Sequence, residues 1–242
     1  MNILTNYLKL IGINLSGTQI DQLYRYRKIL IEWNKNINLT AITDPNEILF
    51  KHFLDSISVH LIEPICNNKS FRIIDVGSGA GFPGLVLKIV FPKSNITLLE
   101  ATNKKVQFLQ HIKNELELND LNVVSNRAEI AAQNRLYRER FDLVVARGVA
   151  KLTTLVELTL PFCKINGICV LHKGPKAHIE VADSLTAIEK MGGGKTELFP
   201  VNHEIDVPKT ETVFVKLTKS METPLKFPRP DGVPKKQPLQ NV

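Results

Sequence analysis

From Phe71 onward, short apolar runs alternate with longer amphipathic segments. FRIIDV, NITLLE, LNVV, FDLVVA, GICVLH, TELFPV and ETVFVKL read as strands. Gly84 to Phe91, Asn103 to Leu118, Arg127 to Arg135, Leu152 to Phe162 and Pro175 to Met191 read as the helices between them. Such alternation predicts βαβ units around a parallel sheet. Only NHEIDVPKT separates the last two strands, too little for a crossover helix. They are expected to form a hairpin that puts one antiparallel strand into an otherwise parallel sheet.

The pattern before residue 69 is helical. Ile20, Leu23, Tyr24, Arg27, Ile31 and Trp33 fall roughly at helical spacing, behind Ser16 or Thr18 as a cap. A second helix is expected over Ile48 to Leu61, after the turn signal Asp44-Pro45. Past residue 220 the chain is METPLKFPRPDGVPKKQPLQNV, rich in proline and lysine and expected to be extended and mobile when alone. The chain thus divides into a helical extension (1–68), an α/β domain (69–220) and a basic tail (221–242).

Composition narrows the class. A hydrophobic content of 43% is ordinary for a globular protein. No apolar run reaches the length of a membrane span, and the N-terminus lacks a signal-peptide pattern. Three scattered cysteines, Cys66, Cys163 and Cys169, argue against a disulfide framework and for a reducing cytoplasm. No HExxH or CxxC occurs and the histidines are dispersed, so no metal site is expected. Lys and Arg exceed Asp and Glu by 31 to 24, which suits a polyanionic partner such as nucleic acid.

Against this background, IIDVGSGAGFPG (Ile73 to Gly84) stands out. Four glycines behind the first strand bring no side chain to a core, so the backbone there must turn sharply or approach something closely. In open α/β sheets, ligands bind beyond the carboxyl ends of the strands. Glu100 ends the second strand, where a carboxylate can accept bonds from both hydroxyls of a ribose. Gly79 to Gly84 matches the generic dinucleotide fingerprint GxGxxG, yet Asp75 extends it to DxGxGxG. That form resembles motif I of S-adenosyl-L-methionine-dependent methyltransferases, and the expected hairpin resembles their seven-stranded, Rossmann-like class I sheet. Asp75 either orients the loop or accepts a bond from the cofactor's amino end. Ala128 and Glu129 follow the third strand, and Arg147 ends the fourth. The Asp/Asn-Pro-Pro-aromatic motif of exocyclic-amine methyltransferases is absent after strand four, and Cys163 and Cys169 have apolar neighbours. A ring nitrogen that is already nucleophilic, such as guanine N7, remains a natural acceptor.

The whole chain resembles the bacterial small-subunit ribosomal RNA guanine-N7 methyltransferases, the glucose-inhibited division protein B family. EWNKNINLTAITDPNEILFKHFLDSISV resembles the family's N-terminal signature, and the FPG of the glycine loop, LLEATNKKVQFLQHI, SNRAE, VVARGVAKL, LHKG and KFPRPDGVPKKQPL resemble later segments. Gly148 departs from the alanine of many members. The resemblance implies S-adenosyl-L-methionine as methyl donor and 16S ribosomal RNA, or the small subunit, as partner of a monomer. It implies cofactor contacts at Asp75, Gly77, Ser78, Gly79, Phe82, Glu100, Ala128, Glu129 and Arg147. Arg147 would also be the catalytic residue, at the cofactor edge or the target guanine. Lys104, Lys105, Arg127 and Lys173 would meet RNA phosphates. His52 and Asp55 share a helix face, and His52 is expected to hold the N-terminal helices to the core. Two rivals remain: a non-catalytic RNA-binding or ribosome-assembly protein on the same fold, and an NAD-dependent dehydrogenase, which would lack a second catalytic domain after strand five.

Overall fold

A computed structural model of the chain describes residues 2–68, 70–201 and 211–239. The N-terminal part carries α1 (Asn2–Leu10) and α2 (Gly17–Asn34). Ser16 caps α2. Its hydroxyl accepts from the Gln19 N–H while the Gln19 side chain accepts from the Ser16 N–H, a reciprocal box that satisfies two donors. The Gln19 amide also donates to the carbonyls of Ile89 and Val90, tying this cap to the α/β domain. The buried stripe of α2 is Leu23, Tyr26 and Leu30, not the one through Tyr24, which is half exposed. Tyr26 goes inward because its hydroxyl finds the Ala80 carbonyl at 2.5 Å.

The second helical stretch runs as α3 (Pro45–Glu47), a π-helical segment (Ile48–Leu54), α4 (Asp55–Ile57) and α5 (Val59–Ile62). Asp44 caps it by accepting from the N–H groups of Asn46 and Glu47, with Pro45 at the first helical position.

The strands are β1 (Arg72–Val76), β2 (Asn95–Glu100), β3 (Leu121–Ser125), β4 (Phe141–Arg147), β5 (Cys163–Lys173), β6 (Gly193–Pro200) and β7 (Val213–Lys219). They form one sheet in the order β3-β2-β1-β4-β5-β7-β6. β7 is antiparallel to both β5 and β6, as the hairpin expectation required, and it inserts between them. The connection NHEIDVPKT lies outside the described residues. The helices are α6 (Gly84–Val90), α7 (Asn103–Glu115), α8 (Ala128–Ala131), α9 (Leu152–Thr159), α10 (Ala177–Asp183), α11 (Leu185–Lys190) and α12 (Val233–Lys236). The helix expected over Arg127 to Arg135 shortens to one turn, and that over Pro175 to Met191 breaks at Ser184.

Both faces of the sheet are covered, so the central strands are apolar at consecutive positions. Ile73, Leu143 and Val145 pack with α2, α6, α7 and the π-helical segment, whereas Ile74, Val144 and Ala146 pack with α9 and α11. Tyr26, Leu30 and Phe53 from the first 68 residues share one core with Phe108 of α7. The tail, expected to be mobile when alone, is docked. Arg138 donates to the carbonyls of Thr223, Pro224 and Phe227, and Phe227 is buried. Arg229 grips the fully buried Glu157 carboxylate through Nε, Nη2 and its backbone N–H. Composition hides this docking because its anchors, Arg138 on three carbonyls and Arg229 on the Glu157 carboxylate, join groups more than 70 residues apart.

Candidate active site

The strand order reverses between β1 and β4, and two adjoining clefts open at their carboxyl ends. The larger, about 310 Å³, runs from Gly77 and Glu100 past Ala128 and Glu129 to Thr154, with Asp231, Gly232 and Lys235 of the tail on its wall. The smaller, about 180 Å³, lies between Gly77, Gly79 and Phe82 on one side and Leu39, Thr40, His52 and Arg147 on the other. Gly77, Lys105 and Gly148 line both.

The glycine loop is shaped by its backbone. Gly77 and Gly79 have φ of +73° and +58°, a region L side chains rarely adopt. A Cβ on Gly77 would stand 2.7 Å from Val149 Cγ2, so bare backbone is required there. The Ser78 hydroxyl is buried and donates to the Asp75 carbonyl, which makes it part of the turn. Glu100 closes the loop from β2. Its two carboxylate oxygens accept from the N–H groups of Gly79 (2.9 Å) and Thr102 (2.8 Å). Each oxygen keeps lone-pair capacity for a guest hydroxyl. A carboxylate so aimed, beside a cradle without side chains, fits a nucleoside-containing cofactor.

Asp75 does not line either cleft. It is fully buried, and its Oδ2 accepts from the Gly84 N–H at 2.9 Å. Of its two expected roles, the geometry matches loop orientation. Burial pushes its carboxyl up to about 7, against the Gly84 bond, which favours the charged form.

Arg147 sits at the end of β4 in the smaller cleft. Its Nη1 donates to the Lys51 carbonyl and to Asp55 Oδ2, both at 3.1 Å, and its Nη2 lies 3.0 Å from His52 Nδ1. The guanidinium also covers the Phe82 ring at 4.8 Å. Lys51 and His52 are in the π-helical segment, whose wider turn accompanies a carbonyl turned toward Arg147. His52 Nδ1 accepts from Arg147, so the ring carries its proton on Nε2, 2.7 Å from the Thr40 hydroxyl. His52 therefore links the N-terminal segments to the loop, and its ring packs on Phe82 at 4.4 Å. The spacing of His52 and Asp55 hinted at this cluster; Thr40 and His172 lie in segments that carry the resemblance but had no role assigned, and Tyr26 lies outside those segments. His172 Nε2 lies 3.6 Å from Asp55 Oδ2.

Of the cationic residues expected at the mouth, Lys105 lines both clefts and Lys104 is exposed beside it. Arg127 is exposed and 3.8 Å from Asp231 of the tail. Lys173 is engaged elsewhere: its ammonium donates to Glu180 at 2.7 Å and to the Ala150 carbonyl, with only 10% of the side chain exposed. Lys173 ends β5 opposite Val213 of the antiparallel β7, with its side chain paired to Glu180 of α10.

Burial, then Arg147, brings His52 down to about 4, and burial brings His172 to about 4 against the pull of Asp55. Unfolding lets both take up protons near 6.5, so they make stability fall as pH drops from about 6.5 to about 4. Asp75 acts oppositely. It keeps its proton up to about 7 when folded and loses it near 3.8 when unfolded, so its contribution is lost as pH rises through that window. The Asp75→Asn variant should therefore show a steeper rise in stability between pH 4.5 and 6, by up to about 1.4 kcal/mol per pH unit. Urea unfolding at the two pH values checks this; an unchanged slope would mean that the folded carboxyl is already ionised at pH 4.5.

A seven-stranded sheet with a reversed β7, a glycine cradle after β1 and an acidic residue ending β2 define a Rossmann-like class I methyltransferase fold. A SAM-dependent O-methyltransferase from Thermotoga maritima shares it, with a TM-score of 0.53 over 80% of this chain and 72% of that one, at 17% identity. A Methanococcus maripaludis protein described as an S-adenosyl-L-methionine-dependent methyltransferase matches with a TM-score of 0.56, over 81% and 93% of the two chains, at 14% identity. The family described as "GidB: rRNA small subunit methyltransferase G" matches residues 19–205. Proteins named ribosomal RNA small subunit methyltransferase G are similar throughout. The one from Dehalococcoides mccartyi (strain BAV1) is 44% identical, over 99% of this chain and all of its own. That from Alkaliphilus metalliredigens is 42% identical over 95% of each. The chain belongs to the rRNA small subunit methyltransferase G family. A dehydrogenase is not favoured: dinucleotide-binding sheets continue in parallel past strand five, where this one inserts an antiparallel strand.

Proposed function

We propose that this protein, as a cytoplasmic monomer, methylates N7 of a guanine in 16S ribosomal RNA with S-adenosyl-L-methionine as donor. The observation that carries the cofactor assignment is the Glu100 carboxylate held at the mouth of the bare-backbone loop. Glu100 would bind the ribose hydroxyls, Gly77 and Gly79 the methionine end, and Ala128 and Glu129 the adenine edge. Bound there, S-adenosyl-L-methionine supplies an electrophilic methyl group, and guanine N7 needs no base because its lone pair is free.

The chain's own residues have to position and desolvate the acceptor. Phe82 and Leu39 give the smaller cleft apolar walls. Arg147 makes three bonds, which leaves two of its five donors for a guest carbonyl such as guanine O6. His52, kept neutral, accepts from Arg147 and holds its plane. Lys104, Lys105 and Arg127 surround the mouth, where cations position a phosphate backbone without reading sequence. A stacked guanine must be unstacked to enter, at a cost of a few kcal/mol, so an exposed loop is the easier substrate.

The test is to incubate the protein with methyl-labelled S-adenosyl-L-methionine and small subunits from a strain that lacks the enzyme. Digestion should yield labelled 7-methylguanosine from one site. Label in another nucleoside would overturn the acceptor, and binding of RNA with no transfer would favour the assembly-factor reading. Parallel reactions on naked RNA decide which form is the substrate. Glu100→Ala should weaken cofactor binding by about a hundredfold, the equivalent of about 3 kcal/mol for two charge-assisted bonds. Calorimetry measures it, and undiminished binding would move the ribose elsewhere.

A further inference from the structure

The larger cleft is walled in part by residues that no glycine-loop or strand-end motif contains. We propose that the C-terminal segment from Arg229 to Lys236 is a strap that forms one wall of the cofactor cleft and retains the cofactor. This inference rests on the cofactor reading above and concerns which residues hold the ligand.

Three cleft residues each hold a successive point of the strap. Arg127 Nε is 3.8 Å from Asp231 Oδ2. Glu129 Oε1 accepts from the Gly232 N–H at 3.1 Å. The Thr154 hydroxyl donates to the Pro234 carbonyl at 3.2 Å. Arg127, Glu129 and Thr154 line the cleft, and so do Asp231, Gly232 and Lys235. The Glu129 carboxylate is thus oriented by the strap.

The strap is secured at its root. Arg229 makes a bidentate pair with Glu157, which has no exposed surface, and the Gln133 amide donates to the Pro228 carbonyl. Gly232 then turns the chain with φ of +77°, although no atom lies within 4 Å of where its Cβ would be. The glycine is demanded by conformation and not by space. The turn leads into α12, with Pro234 buried near its start. A firmly anchored root followed by a lightly held tip, facing the ligand space, is the build of a retaining wall. Ligand clefts gain affinity by covering most of the ligand surface, and this wall covers a side the glycine loop leaves open.

A chain ending at Pro230 removes the tip while keeping Arg229, Phe227 and every contact of Arg138. A Gly232→Pro variant keeps all side chains but removes the N–H donated to Glu129 and forbids the positive φ. Both should bind S-adenosyl-L-methionine about tenfold more weakly than the full chain by calorimetry, with faster release in stopped flow. Their circular dichroism melts should stay close to the parent's. Unchanged affinity in both would overturn the proposal. Tighter binding would overturn it too, since the strap would then obstruct the cleft. Should the shortened chain not fold, Gly232→Pro decides alone. Absence of binding by the full chain itself is a different result, because it removes the cofactor reading before the strap is in question.

Discussion

Arg147→Ala is expected to lower methyl transfer by about a hundredfold to a thousandfold, the usual loss for one preorganised donor at a reacting site. It should also destabilise the fold. Asp55 is 4% exposed, its Oδ1 has no hydrogen-bond partner, and its Oδ2 receives Arg147. Removing the guanidinium leaves a buried carboxylate whose remaining neighbour, His172, is held neutral. Breaking a buried pair from one side costs about 3 kcal/mol or more. The two effects separate in a double variant. Arg147→Ala with Asp55→Asn should regain much of the stability, because no uncompensated charge remains, but none of the activity. Urea unfolding and the labelled-subunit assay read the two quantities. If the double variant recovers activity as well, Arg147 acts only as a structural counter-ion and its assignment as the catalytic residue is wrong.

The glycines of the loop should divide into two kinds when each is changed to alanine. At Gly84 a Cβ would lie 2.5 Å from Leu98 Cδ2 and 2.7 Å from Asp75 Cβ. The second neighbour is fixed to the β1 backbone and cannot give way. α6 would have to lift from the sheet, and the Asp75 bond to the Gly84 N–H would stretch. Overpacking plus that bond should cost about 3 kcal/mol. At Gly79 the nearest atom to the added methyl is the Gly77 carbonyl oxygen at 3.9 Å. Only the positive φ penalises alanine there, by about 1 kcal/mol. The methyl would nevertheless enter the smaller cleft that Gly79 lines. Gly84→Ala should therefore lose stability first, whereas Gly79→Ala should stay folded and lose cofactor affinity. Thermal melts and calorimetry on the same two proteins check the division. Equal affinity in Gly79→Ala would show that the cofactor does not press on that stretch of backbone.

How much of this was legible before folding depended on the range of each signal. The central strands fell close to their apolar runs because burial on both faces of a sheet leaves a local mark, as at Ile73 and Ile74. Glu100 and the glycine loop were legible for a similar reason: both sit at strand ends, one carboxylate and a cluster of positive-φ turns. Of the two caps the sequence offered, Ser16 and Thr18, the structure uses Ser16, paired reciprocally with Gln19. The helical spacing around α2 does not say which tyrosine goes inward, because positions 24 and 26 fit a helical pattern about equally well. Only the Ala80 carbonyl, 54 residues away, chose between them.

The sequence by itself determined that this chain would build a mostly parallel sheet with a reversed strand, that a bare-backbone turn would follow β1, and that an acidic group would stand at the end of β2. Those outcomes follow from periodicity, turn chemistry and connection length, which act over a few residues. Only the tertiary structure decided that β7 inserts beside β5, that Lys173 turns to Glu180, that Arg147 is clamped by a π-helical carbonyl, and that the tail walls the cleft. Each of these depends on a polar group finding a partner far along the chain. Such pairings are selected by geometry after collapse, when an unpartnered buried donor or acceptor would cost more than any local preference.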